Sequence, residues 1–116
     1  MLDLLKLKCK PPAEGENPLN DQEIQEYLGL VQGWQVIENE GEKGIGKRFV
    51  FDDFAGPLEF AARVGKAAEE ENHHPSIFFG WGRALLSWRT HKVKGLSLND
   101  FIMAARTDEI YSQLKK

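Results

Sequence analysis

The chain has 116 residues, 41% of them hydrophobic and 28% charged, with 15 Lys and Arg against 18 Asp and Glu and a formal charge of −3. That length supports one domain with one core. A mildly acidic balance without a basic block argues against a dedicated nucleic-acid binder, which needs clustered Lys and Arg to neutralise phosphates. The single cysteine, Cys9, cannot form an internal disulfide or a zinc knuckle, which fits a reducing, cytoplasmic compartment. The N-terminal MLDLLKLKCK is too short an apolar run for a signal peptide, and no stretch approaches the roughly 18 to 20 apolar residues of a membrane span. A soluble protein without membrane contact is expected.

Residues 10–18 read KPPAEGENP, rich in Pro, Gly and charge, so residues 1–18 are expected to form a flexible head and linker and residues 19–116 the domain. Asn20 and Glu23 have the spacing of a capping box, with Leu19 and Ile24 as a hydrophobic staple. They predict a helix running to about Val31 and ended by Gly33. Extended segments follow at Trp34 to Glu38 and Ile45 to Phe51. Asp52 or Asp53 can cap a second helix, with Pro57 in its first turn and Phe54, Leu58, Ala61, Val64 and Ala68 as its apolar face. That helix ends in three carboxylates, Glu69 to Glu71, which oppose its macrodipole and so suggest another partner for at least one of them.

SIFFGW and GRALLSWRTH then read as a hairpin turning at Gly80-Trp81-Gly82, with Ala84, Leu86, Trp88 and Thr90 facing the core and Leu85, Ser87, Arg89 and His91 facing away. Ser97 and Asp100 signal a capping box for the last helix. The phase change between Phe101–Ile102–Ala105 and Ile110–Tyr111–Leu114 predicts a kink or a second short helix near Thr107. The order helix, strand, strand, helix, strand, strand, helix implies an α+β fold, a four-stranded antiparallel sheet with three helices packed on one face. Apolar residues such as Val50 and Leu85 fall on the uncovered face, for which a second copy of the chain is one cover.

The chemistry resides in three histidines. A hairpin centred near Gly82 places His91 opposite His73, so His73, His74 and His91 could border one pocket beside the carboxylates that end the second helix. Imidazole exchanges protons near neutral pH, and such a cluster suits acid/base work. A metal held by His73 or His74, His91 and a carboxylate is the competing reading. Against it, neighbouring residues of an extended segment point to opposite faces, and no Cys or HExxH spacing assists, so no metal is expected. Asp100 is also explained as a capping residue, Glu69 as a surface group, and Trp34, Trp81 and Trp88 as packing.

Glu69-x-x-x-His73-His74-Pro75, an aromatic at Trp81, His91 after nine further residues and Asp100 after eight more resemble the signature of the pterin-4a-carbinolamine dehydratases, also known as dimerisation cofactors of a homeodomain transcription factor. The resemblance spans residues 19 to 106 and takes in Trp34, KRFVFDDF and THKVKGLSLND. Arg89 stands where a smaller residue is usual. The resemblance implies dehydration of 4a-hydroxytetrahydropterin to quinonoid dihydropterin in tetrahydrobiopterin recycling, with no cofactor or metal. It makes His73, His74 and His91 the acid/base set, with His73 and His91 the transferring pair and His74 positioning substrate. Glu69 and Asp100 would orient imidazoles or bind the pterin, and Trp34 would wall the site. It further implies a pterin substrate, a homodimer or homotetramer, and a cytoplasmic setting. The alternative it carries is a non-catalytic protein-binding module, a coactivator with a protein partner, nuclear as well as cytoplasmic.

Overall fold

A computed structural model describes residues 2–115; Met1 and Lys116 lie outside the described residues. The first helix, α1 (Asp21–Leu28), starts with the expected capping box: Asn20 Oδ1 accepts from Glu23 N at 2.9 Å and Glu23 Oε1 accepts from Asn20 N at 2.9 Å. It stops at Gly29, short of Val31. Gly33, at φ +87°, instead redirects the chain into β1 (Gln35–Asn39). β1 turns into β2 (Glu42–Val50) through Glu40 and Gly41 alone, at φ 55° and 81°. Both left-handed angles are those a two-residue hairpin turn with right-handed strand twist requires. The expected loop up to Ile45 shrinks accordingly, and Glu42 becomes the first residue of a strand.

The N-cap of α2 (Ala55–Glu71) is Phe54, one residue beyond the expected aspartates, and Asp53 serves the first turn from just outside it, its Oδ1 accepting from Gly56 N at 2.9 Å. The buried face of α2 is Pro57, Phe60, Val64, Ala67 and Ala68, whereas Phe54 and Leu58 stand about half exposed. The expected stripe was therefore right in its C-terminal half and out of phase in its first turns. Phe60 is drawn inward by the aromatic cluster, its ring 4.9 Å from Phe49 and 5.5 Å from Phe51.

β3 (Ser76–Gly80) and β4 (Arg83–Trp88) form the second hairpin around Trp81-Gly82, with Gly82 at φ +79°. The strands lie in the order β1-β2-β4-β3, all antiparallel. Ala84, Leu86, Trp88 and Thr90 are buried, while Leu85, Val50, Phe78 and Ile37 are exposed on the face away from the helices. α3 (Leu98–Leu114) is one continuous helix, with no second short helix after Thr107. Its first half is enclosed on all sides, burying Phe101, Ile102, Met103 and Ala104 together. A single apolar stripe is therefore absent, and enclosure of this half accounts for the apparent phase change. Thr107 Oγ1 donates to Met103 O at 2.6 Å and accepts from Trp88 Nε1 at 3.2 Å, which fixes α3 to β4.

The head does not hang free of the domain. Leu4 joins the core at 4% exposure, Cys9 N donates to Glu71 Oε1 at 2.8 Å, and Lys10 and Asn99 exchange two hydrogen bonds at 3.0 and 2.7 Å. Its charged, proline-rich composition concealed an apolar anchor at Leu4 and a backbone that finds partners on α2 and α3. Burial, reinforced by the Glu71 and Asp100 carboxylates, pushes the Cys9 thiol from 9.0 up to about 12. Since the thiolate is the nucleophile, iodoacetamide at pH 8 is expected to alkylate Cys9 at least a hundredfold more slowly in the folded chain than in urea. Equal rates would show that the head does not dock. The folded thiol holds its proton more tightly than the unfolded one, so this group's effect is absent below pH 9 and costs stability as pH rises from about 9 toward 12.

Candidate active site

Where β4 ends, the chain leaves the sheet in a short loop closed by a bridge between Thr90 and Gly95, with Thr90 N donating to Gly95 O at 2.8 Å. A 3-10 turn, His91–Val93, fills that loop, and Lys94 exits it at φ 58°. His91 is therefore a loop residue, 81% exposed, and not a rung of the β3–β4 ladder, whose last pair is Ser76↔Ser87. The expected opposition of His73 and His91 fails for this reason: both flank the hairpin after pairing has ended.

Asp100 lies beneath this loop with no exposure. Its Oδ2 accepts from Ser97 N at 2.9 Å and from the Thr90 hydroxyl at 2.8 Å, and its Oδ1 lies 2.7 Å from His73 Nε2. Because Thr90 gives its only proton to Asp100, the 2.6 Å contact between Thr90 Oγ1 and Ser97 Oγ has Ser97 as donor. A carboxylate only accepts, so His73 Nε2 likewise donates to Asp100 Oδ1. One buried carboxylate thus caps α3, closes the His91 loop and fixes the His73 ring, so its capping and site-building roles are the same set of bonds. His73 is 12% exposed and stacks on Trp88, with ring centroids 5.7 Å apart and planes at 17°.

His74 points the other way, as adjacent residues of an extended segment do. It follows the left-handed Asn72 that ends α2, and its Nε2 contacts Glu69 Oε2 back on the last turns of that helix. The carboxylates at the wrong end of the α2 dipole are thereby partly accounted for: Glu69 meets His74, and Glu71 receives the Cys9 N–H. Both His74 and His91 line a hollow of about 290 Å³, together with Glu42, Ser76, Ser87 and Arg89. That volume is near the lower end for small-ligand sites. A larger, more open groove of about 830 Å³ runs along Leu4, Leu30 and Ala105, but it holds no histidine, so the smaller hollow is the candidate site.

The histidines are thus partly brought together. His74 and His91 share the hollow, while His73 lies behind it against Trp88, which borders the hollow. Glu69 reaches the hollow only through His74. Trp34 is elsewhere: it is buried on the helix side, its Nε1 donating to Asp108 Oδ2 at 3.0 Å, and it does not wall the hollow. Glu42, hidden in the sequence inside a polar turn, lies at ion-pair distance from His91, its Oε1 3.4 Å from Nδ1. Only the two-residue length of that turn, which makes Glu42 a strand residue, could have suggested it. Among the described residues, no group of three or more His, Cys, Asp or Glu side chains is arranged to hold a metal ion.

The family model described as pterin 4 alpha carbinolamine dehydratase matches residues 17–110. The chain belongs to this family. A Microcystis aeruginosa protein provisionally named pterin-4-alpha-carbinolamine dehydratase is 43% identical over 113 residues, covering 97% of each chain. A Cupriavidus pinatubonensis relative with the same provisional name is 46% identical over 102 residues, 88% of this chain and 86% of its own. Among solved structures, a transcriptional coactivator/pterin dehydratase from Brucella melitensis superposes with a TM-score of 0.74 at 32% identity, covering 82% of this chain and 99% of that one. A pterin dehydratase-like protein described as a RuBisCO assembly factor of the alpha-carboxysome matches at TM-score 0.58 and 22% identity, which speaks to the shared fold alone.

Proposed function

We propose that this pterin dehydratase family member converts 4a-hydroxytetrahydropterin to quinonoid dihydropterin, with His74 and His91 as the proton-transferring pair. The observation that carries this reading is the pairing of those two imidazoles, each beside its own carboxylate, Glu69 and Glu42, on the wall of one hollow. In the reaction the C4a–O bond breaks, an imidazolium delivers a proton so that the oxygen leaves as water, and a second imidazole takes the proton from a ring N–H. The electron pair of that nitrogen forms the C=N bond to C4a. No electrons enter or leave, so the chemistry needs only a donor and an acceptor of protons, and histidine can be either near neutral pH.

His73 takes a supporting part in this scheme. Its Nε2 is committed to Asp100 and its ring to Trp88, so it braces the hollow from behind instead of exchanging protons with the substrate. Stopped-flow absorbance of freshly generated 4a-carbinolamine, with and without protein at neutral pH, tests the proposal. Acceleration is expected; an unchanged rate overturns it.

A second reading, a protein-binding role, draws support from the exposed Ile37, Val50, Phe78 and Leu85 on the uncovered sheet face and from the coactivator description of the Brucella protein. A homodimer or homotetramer covering that face is expected. Sedimentation equilibrium should then give a mass two or four times 13.2 kDa, and Phe78→Glu should lower it. A wild-type monomer at micromolar concentration would defeat this expectation without touching the dehydratase reading.

A further inference from the structure

Glu42 holds the one polar side-chain atom that the described residues bury without a hydrogen-bond partner, its Oε1. The side chain is 18% exposed and lines the hollow, at the start of β2, where the Glu40-Gly41 turn and the Asn39↔Glu42 pair fix its backbone. Two nitrogens approach Oε1, Arg89 Nη1 and His91 Nδ1, both at 3.4 Å, yet neither donates a hydrogen bond to it. A buried carboxylate oxygen without a donor is costly, and such exceptions in a folded chain call for a reason. Arg89 and His91, 43% and 81% exposed in their side chains, answer the charge of Glu42 without donating a hydrogen bond to its Oε1.

We infer that Glu42 is a substrate-binding residue, whose carboxylate accepts N–H donors from the edge of the heterocycle that enters the hollow. The inference rests on the pterin reading of the site. A 2-amino-4-oxopteridine carries an exocyclic amino group beside a ring N–H, a planar pair of donors of the kind a carboxylate receives in bidentate fashion. Asn39, Ser76 and Ser87, which also line the hollow, offer only neutral groups. Glu42 thus selects the edge of the ring that goes in and discriminates against rings lacking the amino donor. Leaving a buried acceptor unpaired is what makes such discrimination large.

The test uses the full chain and two fluorescent probes: pterin, and lumazine, in which an oxo group replaces the 2-amino group. Wild type should bind pterin at least tenfold more tightly than lumazine. In Glu42→Ala, pterin affinity should fall roughly ten- to hundredfold, as expected for loss of a charge-assisted hydrogen bond, with lumazine affinity nearly unchanged, so that the ratio approaches one. Glu42→Gln, which keeps an oxygen but loses the charge, should lie between. Thermal melting of each variant establishes that it is folded, and Gln preserves the side-chain shape if Ala does not fold. Folded variants retaining the wild-type ratio, or a wild type that binds both probes equally, overturn the assignment of Glu42 and leave the dehydratase reading standing. A wild type that binds neither probe overturns the pterin reading of the hollow and this inference together.

Discussion

Changing His74 and His91 together to alanine should remove most of the dehydration rate enhancement, about 10³-fold, while the chain stays folded. A positioned general acid or base contributes about 10² to 10⁴ in rate. Each single variant should therefore lose about 10², and the double variant should fall short of the product of the two because groups acting as a unit are not additive. The fold should tolerate both changes, since the side chains are 54% and 81% exposed and neither belongs to the core. Exposed ion pairs such as theirs contribute only about 0 to 1 kcal/mol. The measurement is single-turnover stopped flow beside a thermal melt. A double variant with wild-type turnover would remove these histidines from the mechanism, and His73→Ala would then be the next variant to assay.

Asp100→Ala should be the most destabilising single substitution in the site, costing about 3 to 5 kcal/mol. It removes an acceptor at zero exposure and leaves the Thr90 hydroxyl, the Ser97 N–H and His73 Nε2 without their partner. Asp100→Asn keeps one acceptor oxygen but turns an amide donor toward other donors, so it should recover only part of the loss. Urea unfolding gives the difference directly. Because the same bonds close the His91 loop, the folded fraction of Asp100→Asn should also show a lower kcat. Stability within 1 kcal/mol of wild type for Asp100→Ala would show that the buried network carries little of the fold.

The parts of the fold that were legible in the sequence are those with local causes. Asn20 with Glu23 and Ser97 with Asp100 mark helix starts through contacts between neighbours in the chain, and the alternation from Ala84 to Thr90 marks a strand by its period. What escaped were long-range effects. Phe60 lies inward because Phe49 and Phe51, from another element, collect it. The burial of α3 on several sides at once follows from its enclosure, which no stripe on its own residues reveals.

The site divides in the same way. The types of the chemical groups were readable, as was the opposite pointing of His73 and His74, which any extended dipeptide imposes. Their placement was not, because the hairpin ladder ends at Ser76 and Ser87 and the bridge at Thr90 takes His91 out of register. Only the family resemblance places Trp34 at the site, and its indole instead finds Asp108 on α3 and lies away from the hollow, in keeping with the packing role its residue type suggests. Glu42 carried no signal of its own, since a glutamate in a turn is ordinary until the cross-strand pairing shows what stands beside it.

The docked N-terminal segment bears on how the protein should be trimmed for study. The family match starts at residue 17, and a fragment cut there would look like a complete domain on paper. It would nevertheless strip Leu4 from the interior and deprive Asn99, the immediate neighbour of Asp100, of both its bonds to Lys10. Such a shortened version should melt earlier than the intact chain and expose a greasy flank of α3 to dye binding, a defect that an assay would misread as poor catalysis.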